Sequence, residues 1–161
     1  MQPADLSAAL SGLAAAVTLV TVRDGRDDIG TTVTAFCPVS MDPPLVLVSV
    51  MAESYLAEVL GRCDGFAVTV LGTDQRALAG RFAAAGRPSA RLLLASVPHR
   101  RAGHSGALIP EGGLAALDCR ASQRVPAGDH LLVIGEVTDV PYVTGTARPL
   151  VRFRGRYPAL S

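Results

Sequence analysis

Short runs of apolar and β-branched residues recur along the chain, and some of them alternate with polar residues in the two-residue period of β-strands. These strand-like runs are rich in Val, Leu and Thr and are separated by Gly, Pro and Asp. They occupy residues 17–22, 30–36, 45–50, 65–71, 114–125, 130–140 and 150–153. Helical spacing of apolar residues is confined to three stretches, residues 5–17, 55–62 and 74–84. Many short strands with few helices predict a mainly antiparallel β-barrel.

The first half of the chain is organised around one corner, Asp42-Pro43-Pro44, between two predicted strands. Each proline fixes its φ angle, and Pro44 has no N–H to donate to a sheet, so the corner ends one strand and begins the next. The strand before it, residues 30–36, carries small hydroxyl residues that leave its backbone open to close approach. The strand after it, residues 45–50, is almost wholly apolar and is predicted to be covered on both faces.

Composition and charge narrow the class of protein. A chain of 161 residues, 49% hydrophobic and 18% charged, fits one globular domain with a full core. The formal net charge is +1, and all fifteen basic residues are Arg. This near-neutral balance argues against a nucleic-acid partner, because nucleic-acid binding needs a dominant basic surface.

Cysteine usage and hydropathy indicate the compartment. The three cysteines form no C-x-x-C pair and no Cys/His cluster with metal-ligand spacing, so reduced thiols and no metal site are expected. The N-terminus lacks the pattern of a signal peptide, and no apolar run is long enough to cross a bilayer. The sequence therefore predicts a cytoplasmic protein without a membrane partner.

Several motifs together resemble the flavin reductase family of FMN-binding split barrels. The longest runs from Gly30-Thr31-Thr32-Val33-Thr34-Ala35-Phe36 through Val39-Ser40-Met41-Asp42-Pro43-Pro44-Leu45-Val46-Leu47-Val48. The shorter ones are Gly65-Phe66-Ala67-Val68, Arg81-Phe82-Ala83, Gly128-Asp129-His130 and Arg154-Gly155-Arg156-Tyr157. The resemblance extends from about Val17 to Tyr157 and is vague only over residues 85–113.

The resemblance implies a fold and an activity. The fold is a six-stranded antiparallel split barrel with a few short flanking helices, forming a single flavin reductase-like domain over residues 1–161 and pairing as a homodimer. The activity is NAD(P)H-dependent reduction of free flavin, with the reduced flavin passed to a separate flavin-dependent monooxygenase. Both FMN and FAD, and both NADH and NADPH, remain open at this point.

The resemblance also implies which residues form the site. The flavin would be held by a strand, by a helix start that binds the phosphate, and by a helix end: Thr31, Thr32, Val33, Thr34, Ala35 and Phe36; Val50, Met51, Glu53, Ser54 and Tyr55; Arg81, Phe82 and Ala83. His130 would be the catalytic residue, positioned beside flavin and nicotinamide, and Arg154 and Tyr157 would complete the nicotinamide site.

Purely structural interpretations compete with these roles. Ser54 also has the position of an ordinary N-cap, as Asp5 and Thr73 do for the other two helices. Arg81 could be a solvated residue at a helix end, and Tyr157 could simply pack on the barrel.

The chain departs from the family pattern at three places. Ala15-Ala16 replaces Thr-Gly, Ala35 replaces Ser, and Leu56 replaces Thr, and the last two remove hydroxyl groups from the implied flavin site. A non-catalytic flavin-binding protein, acting as a store, sensor or scaffold, is therefore the main alternative. A third hypothesis is an oxidase similar to the pyridoxamine-phosphate oxidases. Loops typical of nucleotide-binding and hydrolase folds, such as G-x-G-x-x-G and G-x-S-x-G, are absent.

Overall fold

The computed structural model describes residues 1–161 as a mainly β protein with a few short helices. The helices are α1 Pro3–Leu10, α2 Tyr55–Leu60, the 3₁₀ turn Thr73–Gln75, α3 Arg76–Ala83 and α4 Ala90–Leu93. The strands are β1 Ala15–Ala16, β2 Thr18–Asp24, β3 Asp27–Val33, β4 Phe36–Met41, β5 Pro44–Met51, β6 Gly65–Val70, β7 His99–Arg101, β8 Leu108–Pro110, β9 Ala115–Ala127, β10 His130–Val143 and β11 Val151–Arg152.

One antiparallel sheet of seven strands forms the body of the protein, in the order β3-β2-β6-β9-β10-β5-β4. Its two edge strands, β3 and β4, follow each other in the chain and are linked only by Thr34 and Ala35. This short link joins the opposite edges of the sheet, so the sheet curls into an open barrel. The expected count of six strands is not confirmed, because the run at residues 30–36 breaks at the link and contributes to both edges.

The corner at Asp42-Pro43-Pro44 has the predicted role. Met41 pairs with Pro44, which is the first residue of β5. Along β5, Val46, Val48 and Val50 are buried, whereas the alternate positions are only half-buried. The prediction that this strand is covered on both faces is therefore wrong for the single chain. Its outer face is partly exposed.

The buried side chains form two main clusters, dominated by Val and Leu as the low aromatic content predicts. The first fills the barrel around Phe66. The second lies between β2 and the helices α3 and α4, around Phe82. Gly30 permits the close approach of α3, since a Cβ atom there would lie 3.0 Å from both Phe82 Cε1 and Thr21 Cγ2. α3 is thereby held directly against β3.

Residues 85–113, which the sequence left unassigned, form an excursion containing α4 and the β7–β8 hairpin. Two buried carboxylates fasten it to the barrel. Asp118 accepts hydrogen bonds from the amides of His104 and Ser105, at 2.7 and 3.1 Å. Asp28 accepts from side chains of α4 and β7. The excursion is therefore an anchored part of the fold.

Two of the three predicted helix starts differ from the structure. Helix α1 begins at Pro3, a residue favoured at the first helical position, so Asp5 lies inside the first turn. The N-cap of the 3₁₀ turn is Gly72, one residue before the predicted Thr73. The side chain of Gln75 accepts the Gly72 N–H at this position. None of the helices is long and apolar enough to cross a membrane.

Candidate functional site

A cleft of about 400 Å³ lies between three segments of the chain. β3 supplies one wall and the start of α2 a second. The third wall is the beginning of the excursion, directly before α4. The lining residues are Asp27, Ile29, Gly30, Ser54, Tyr55, Leu56, Gly86, Arg87, Pro88 and Ser89.

Ser54 is the N-cap of α2, as the structural interpretation predicts. Its Oγ accepts the Ala57 N–H at 3.1 Å and donates to the Met51 carbonyl at 2.7 Å. The amides of Tyr55 and Leu56 at the same helix start have no hydrogen-bond partner in the chain. Leu56 also lines the cleft, where its buried apolar side chain supplies no hydroxyl group.

Arg87 supplies the cleft with positive charge, and it is the residue that the sequence analysis missed. Its Nε donates to the Gly30 carbonyl at 2.8 Å and its Nη1 to the Ala84 carbonyl at 3.3 Å, while its Nη2 has no partner. Burial lowers the pKa of this guanidinium from its ordinary value. No local motif marks Arg87, because its position depends on the path of an irregular segment.

Thr31 and Thr32 contact α3 directly, which the motifs do not predict. The Thr31 hydroxyl donates to the Phe82 carbonyl at 3.3 Å and the Thr32 hydroxyl to the Ala79 carbonyl at 2.6 Å. Both hydroxyls thus hold the helix to the strand. The side chain of Arg81 is exposed and makes no ion pair, Phe82 is fully buried, and Ala83 is exposed.

A second, wider groove of about 800 Å³ begins at the link between β3 and β4. Thr34, Ala35 and Arg154 line it together with α1. Ala35 has an exposed side chain, and its carbonyl accepts the Ser49 N–H at 2.9 Å. Since Gly30 lies in the cleft and Thr34 in the groove, the two openings are roughly 13 Å apart along β3.

His130 begins β10 and pairs with Met51, the last residue of β5. Its side chain is 40% exposed, and Nδ1 lies 2.7 Å from a carboxylate oxygen of Asp129. Gly128 at φ +59° and Asp129 form the two-residue turn before it. Because Ser54 N donates to the Met51 carbonyl, His130 lies on the sheet end that leads into the cleft.

The hairpin that carries His130 is also tied to α2. Arg124 of β9 donates to the carbonyls of Leu60 and Cys63, at 2.7 and 2.6 Å. Leu60 is the last residue of α2, where helical carbonyls lack partners, and Cys63 lies in the turn that follows. The cleft helix and the His130 hairpin therefore share direct contacts.

Other predicted site residues take part less directly. Val33 and Val50 are buried in the first cluster, and Phe36 packs against it. Met51 and Glu53 are exposed beside the cleft helix. Tyr55 lines the cleft, but its hydroxyl donates to Asp24 at 2.7 Å. Tyr157 packs on the second cluster with Arg76 5.3 Å from its ring centre, which favours the packing interpretation.

These residues fit a flavin nucleotide. Arg87 with a free Nη2, and two unpaired amides, offer donors to a phosphate in a cleft of ordinary ligand-site size. The apolar groove around Thr34 and Ala35 offers a surface and approachable backbone to a planar ring. Asp27 also lines the cleft and is its one carboxylate.

Comparison with known proteins gives the same assignment. Residues 10–161 match the flavin reductase like domain. The chain is 37% identical over 155 residues to the NADH-dependent FMN reductase AsuE2 of Streptomyces nodosus subsp. asukaensis, covering 94% of this chain and 82% of that protein. It is 36% identical over 152 residues to the reductase component of 4-hydroxyphenylacetate 3-monooxygenase of Thermus thermophilus, covering 94% and 93%.

A solved structure extends the agreement to the whole fold. The NADH:FAD oxidoreductase SgcE6 of Streptomyces globisporus, in complex with NAD and FAD fragments, matches with a TM-score of 0.91 at 28% identity. The match covers 100% of this chain and 96% of that one. The chain therefore belongs to the flavin reductase-like domain family.

Proposed function

We propose that this protein is an NADH-dependent flavin reductase that reduces free FMN or FAD. The observation that carries the proposal is the cleft lined by Arg87 and the start of α2, with His130 on the strand pair that ends at Met51, next to Ser54. The relatives named above support NADH over NADPH as the electron donor. Both FMN and FAD occur in their names, so both flavins remain in the proposal.

Residues at different places in the site have different roles in this proposal. Arg87 and the amides of Tyr55 and Leu56 bind the flavin phosphate, while the backbone from Thr31 to Phe36 lies along the ring. The flavin, when bound, supplies the acceptor for a hydride from the nicotinamide. Hydride transfer needs no proton from the protein, so His130 orients the nicotinamide. Arg154, at the rim of the groove, contributes charge to the same substrate.

The partners follow from the chemistry and the surface. We place the protein in the cytoplasm as a homodimer that releases reduced flavin to a separate monooxygenase. The reductase component of the Thermus monooxygenase supports this partner. The wholly exposed helix α1 and the half-exposed outer face of β5 support a second copy, because apolar surface of this kind is usually covered.

The test is steady-state oxidation of NADH and of NADPH with FMN, FAD and riboflavin in turn. The proposal expects flavin-dependent turnover with saturation by the flavin, and faster turnover with NADH. Flavin binding without NADH oxidation would instead favour the non-catalytic alternative.

A further inference from the structure

Asp28 is a buried carboxylate shared by two arginines of the excursion. Its side chain is 2% exposed. Arg91 of α4 donates to Oδ2 at 2.9 Å from Nη2 and at 3.3 Å from Nε. Arg101 of β7 donates to Oδ1 at 2.8 Å and to Oδ2 at 3.2 Å. Breaking such a cluster leaves a buried charge short of partners, so its members are fixed in place.

Arg91 and Arg87 both donate hydrogen bonds to β3. Arg91 holds Asp28 and also donates to the Arg26 carbonyl at 2.6 Å, and Arg87 holds the Gly30 carbonyl at 2.8 Å. Residues 28 and 30 lie on the same face of β3. The two arginines are separated by only three residues, one of them Pro88, whose ring restricts the link. The position of Arg87 is therefore coupled to that of Arg91.

Arg101 offers a natural comparison within the same cluster. It binds the same carboxylate and additionally donates to the Gly106 carbonyl at 2.6 Å. It belongs to the β7–β8 hairpin, and none of the residues of that hairpin lines the cleft. Losing Arg101 would weaken the cluster without releasing the cleft wall.

We propose that the Asp28–Arg91 pair is a positioning device that holds the Arg87 guanidinium in the cleft and thereby makes the protein select phosphorylated flavins over riboflavin. This inference rests on the proposed function, because it takes the cleft as the flavin phosphate site. Riboflavin has the same ring without the phosphate. Its affinity therefore measures binding of the ring without the contact between Arg87 and the phosphate. A purely structural role of the pair would affect both flavins alike.

The experiment measures dissociation constants for FMN and riboflavin by quenching of flavin fluorescence, together with melting temperatures. The variants are Arg87→Gln, Arg91→Gln and the matched control Arg101→Gln. We expect wild-type protein to prefer FMN, and Arg87→Gln to weaken FMN binding about 10-fold or more with riboflavin unchanged. Arg91→Gln should reduce the same preference, and Arg101→Gln should lower the melting temperature while the preference stays.

The double variant Arg87→Gln/Arg91→Gln tests whether the two residues act through one contact. It should lose no more FMN preference than Arg87→Gln alone. If Arg91→Gln is too unstable to purify, Arg91→Lys keeps a cation with fewer donors and should give an intermediate preference. An Arg91 variant that weakens FMN and riboflavin equally, or one that resembles Arg101→Gln, overturns the inference.

The outcomes separate this inference from the proposed function. Equal affinity of the wild-type protein for FMN and riboflavin would overturn the inference, while NADH oxidation with either flavin would still establish a reductase. A wild-type protein that prefers FMN but oxidises no NADH would overturn the proposed function and leave the inference to be decided by the variants.

Discussion

Nδ1 of His130 lies 2.7 Å from Oδ1 of Asp129 at the tip of the β9–β10 hairpin. The hydrogen bond from His130 lowers the pKa of Asp129 below its ordinary value, so the carboxylate stays ionised near neutral pH. With Nδ1 engaged, Nε2 is the ring nitrogen left for a ligand. The imidazole is therefore oriented by its neighbour in sequence.

His130→Ala should raise KM for the nicotinamide and lower kcat/KM by about 10- to 100-fold, a loss of roughly 1.4–2.7 kcal/mol. The reason is that an orienting contact is lost while the barrel keeps its core. Steady-state kinetics beside a melting curve gives the answer. A destabilised variant with normal turnover per folded molecule would make His130 a structural residue.

Asp129→Asn is the companion to that variant. It keeps the turn and an oxygen acceptor but removes the charge, so its kcat/KM should fall between those of the wild type and His130→Ala. If Asp129→Asn matches His130→Ala, orientation of the ring is the whole contribution.

A stable homodimer is expected in solution. The apolar side chains Leu10 and Leu13 are 55% and 68% exposed in one chain, and Met41 is 90% exposed. Covering them removes apolar surface from water at about 25 cal/mol per Å². Light scattering at micromolar concentration should give twice the chain mass. A monomeric mass would contradict the proposed assembly.

Flavin should exchange freely from the purified protein, as a substrate does. Ala35 lacks the hydroxyl that the family pattern places beside the groove, and one hydrogen bond is worth about 1 kcal/mol. Ala35→Ser should accordingly tighten flavin binding severalfold. Absorbance of the protein after dialysis measures how much flavin the wild type and Ala35→Ser each retain. Wild-type protein that stays yellow would contradict the prediction.

Leu56→Thr, the other change toward the family pattern, should behave differently. Leu56 is 2% exposed and belongs to the first cluster, so a threonine would bury a hydroxyl and lose packing. We expect a loss of roughly 1–3 kcal/mol in the free energy of unfolding and no gain in flavin affinity. Denaturant unfolding and a binding titration on the same sample separate the two effects.

Local patterns predicted most of the strands, misplaced two helix starts, and failed where a role depends on distant residues. Asp42-Pro43-Pro44 and the Ser54 cap could be placed because their geometry is set within a few residues. The break at Thr34 could not, since it arises from curling of the whole sheet. Arg87 was missed for the same reason, because it reaches Gly30 across 57 positions of sequence.

The site motifs were recognised from the sequence, but in the structure several of their residues serve packing between elements. Phe82 and Val50 are buried, and the hydroxyls of Thr31 and Thr32 are bound to α3. A motif can persist because it holds two elements together as well as because it touches a ligand. Which of the two applies depends on side-chain direction, which the sequence alone leaves open.

Gly30→Ala tests the contact between β3 and α3. The new Cβ would lie 3.0 Å from Phe82 Cε1 and 3.2 Å from the Val20 carbonyl, closer than packed atoms normally lie. Overpacking of this kind costs about 1–3 kcal/mol. Denaturant unfolding should show that loss. Gly80→Ala, where no atom lies within 4 Å of the added Cβ, is the matched control and should be neutral or stabilising.

The Asp28 cluster should make stability fall in acid. Burial favours the neutral carboxyl, but hydrogen bonds from Arg101 and Arg91 and their charges outweigh burial and lower the pKa of Asp28. The unfolded chain then binds this proton more readily than the folded one. The stabilisation is complete above an ordinary Asp pKa of about 4 and is lost as the pH falls through the lower folded value.

Melting temperatures of wild type and Asp28→Asn across this range give the measurement. The difference between them should be largest near neutral pH and should shrink in acid, because protonation removes the charge that the variant already lacks. A difference that stays constant with pH would show that the charge of Asp28 does not stabilise the fold.

The two hydrogen bonds from Arg124 to the last residue of α2 and to the turn after it have a consequence for local opening. A six-residue helix is too short to persist alone in water, so its amides are protected only while it stays docked. Because Arg124 joins that helix to the β9–β10 hairpin, the two should exchange their amide hydrogens with similar protection, as one cooperative unit. A ligand that restrains the helix would then also slow exchange in the hairpin, beyond the residues that the ligand contacts.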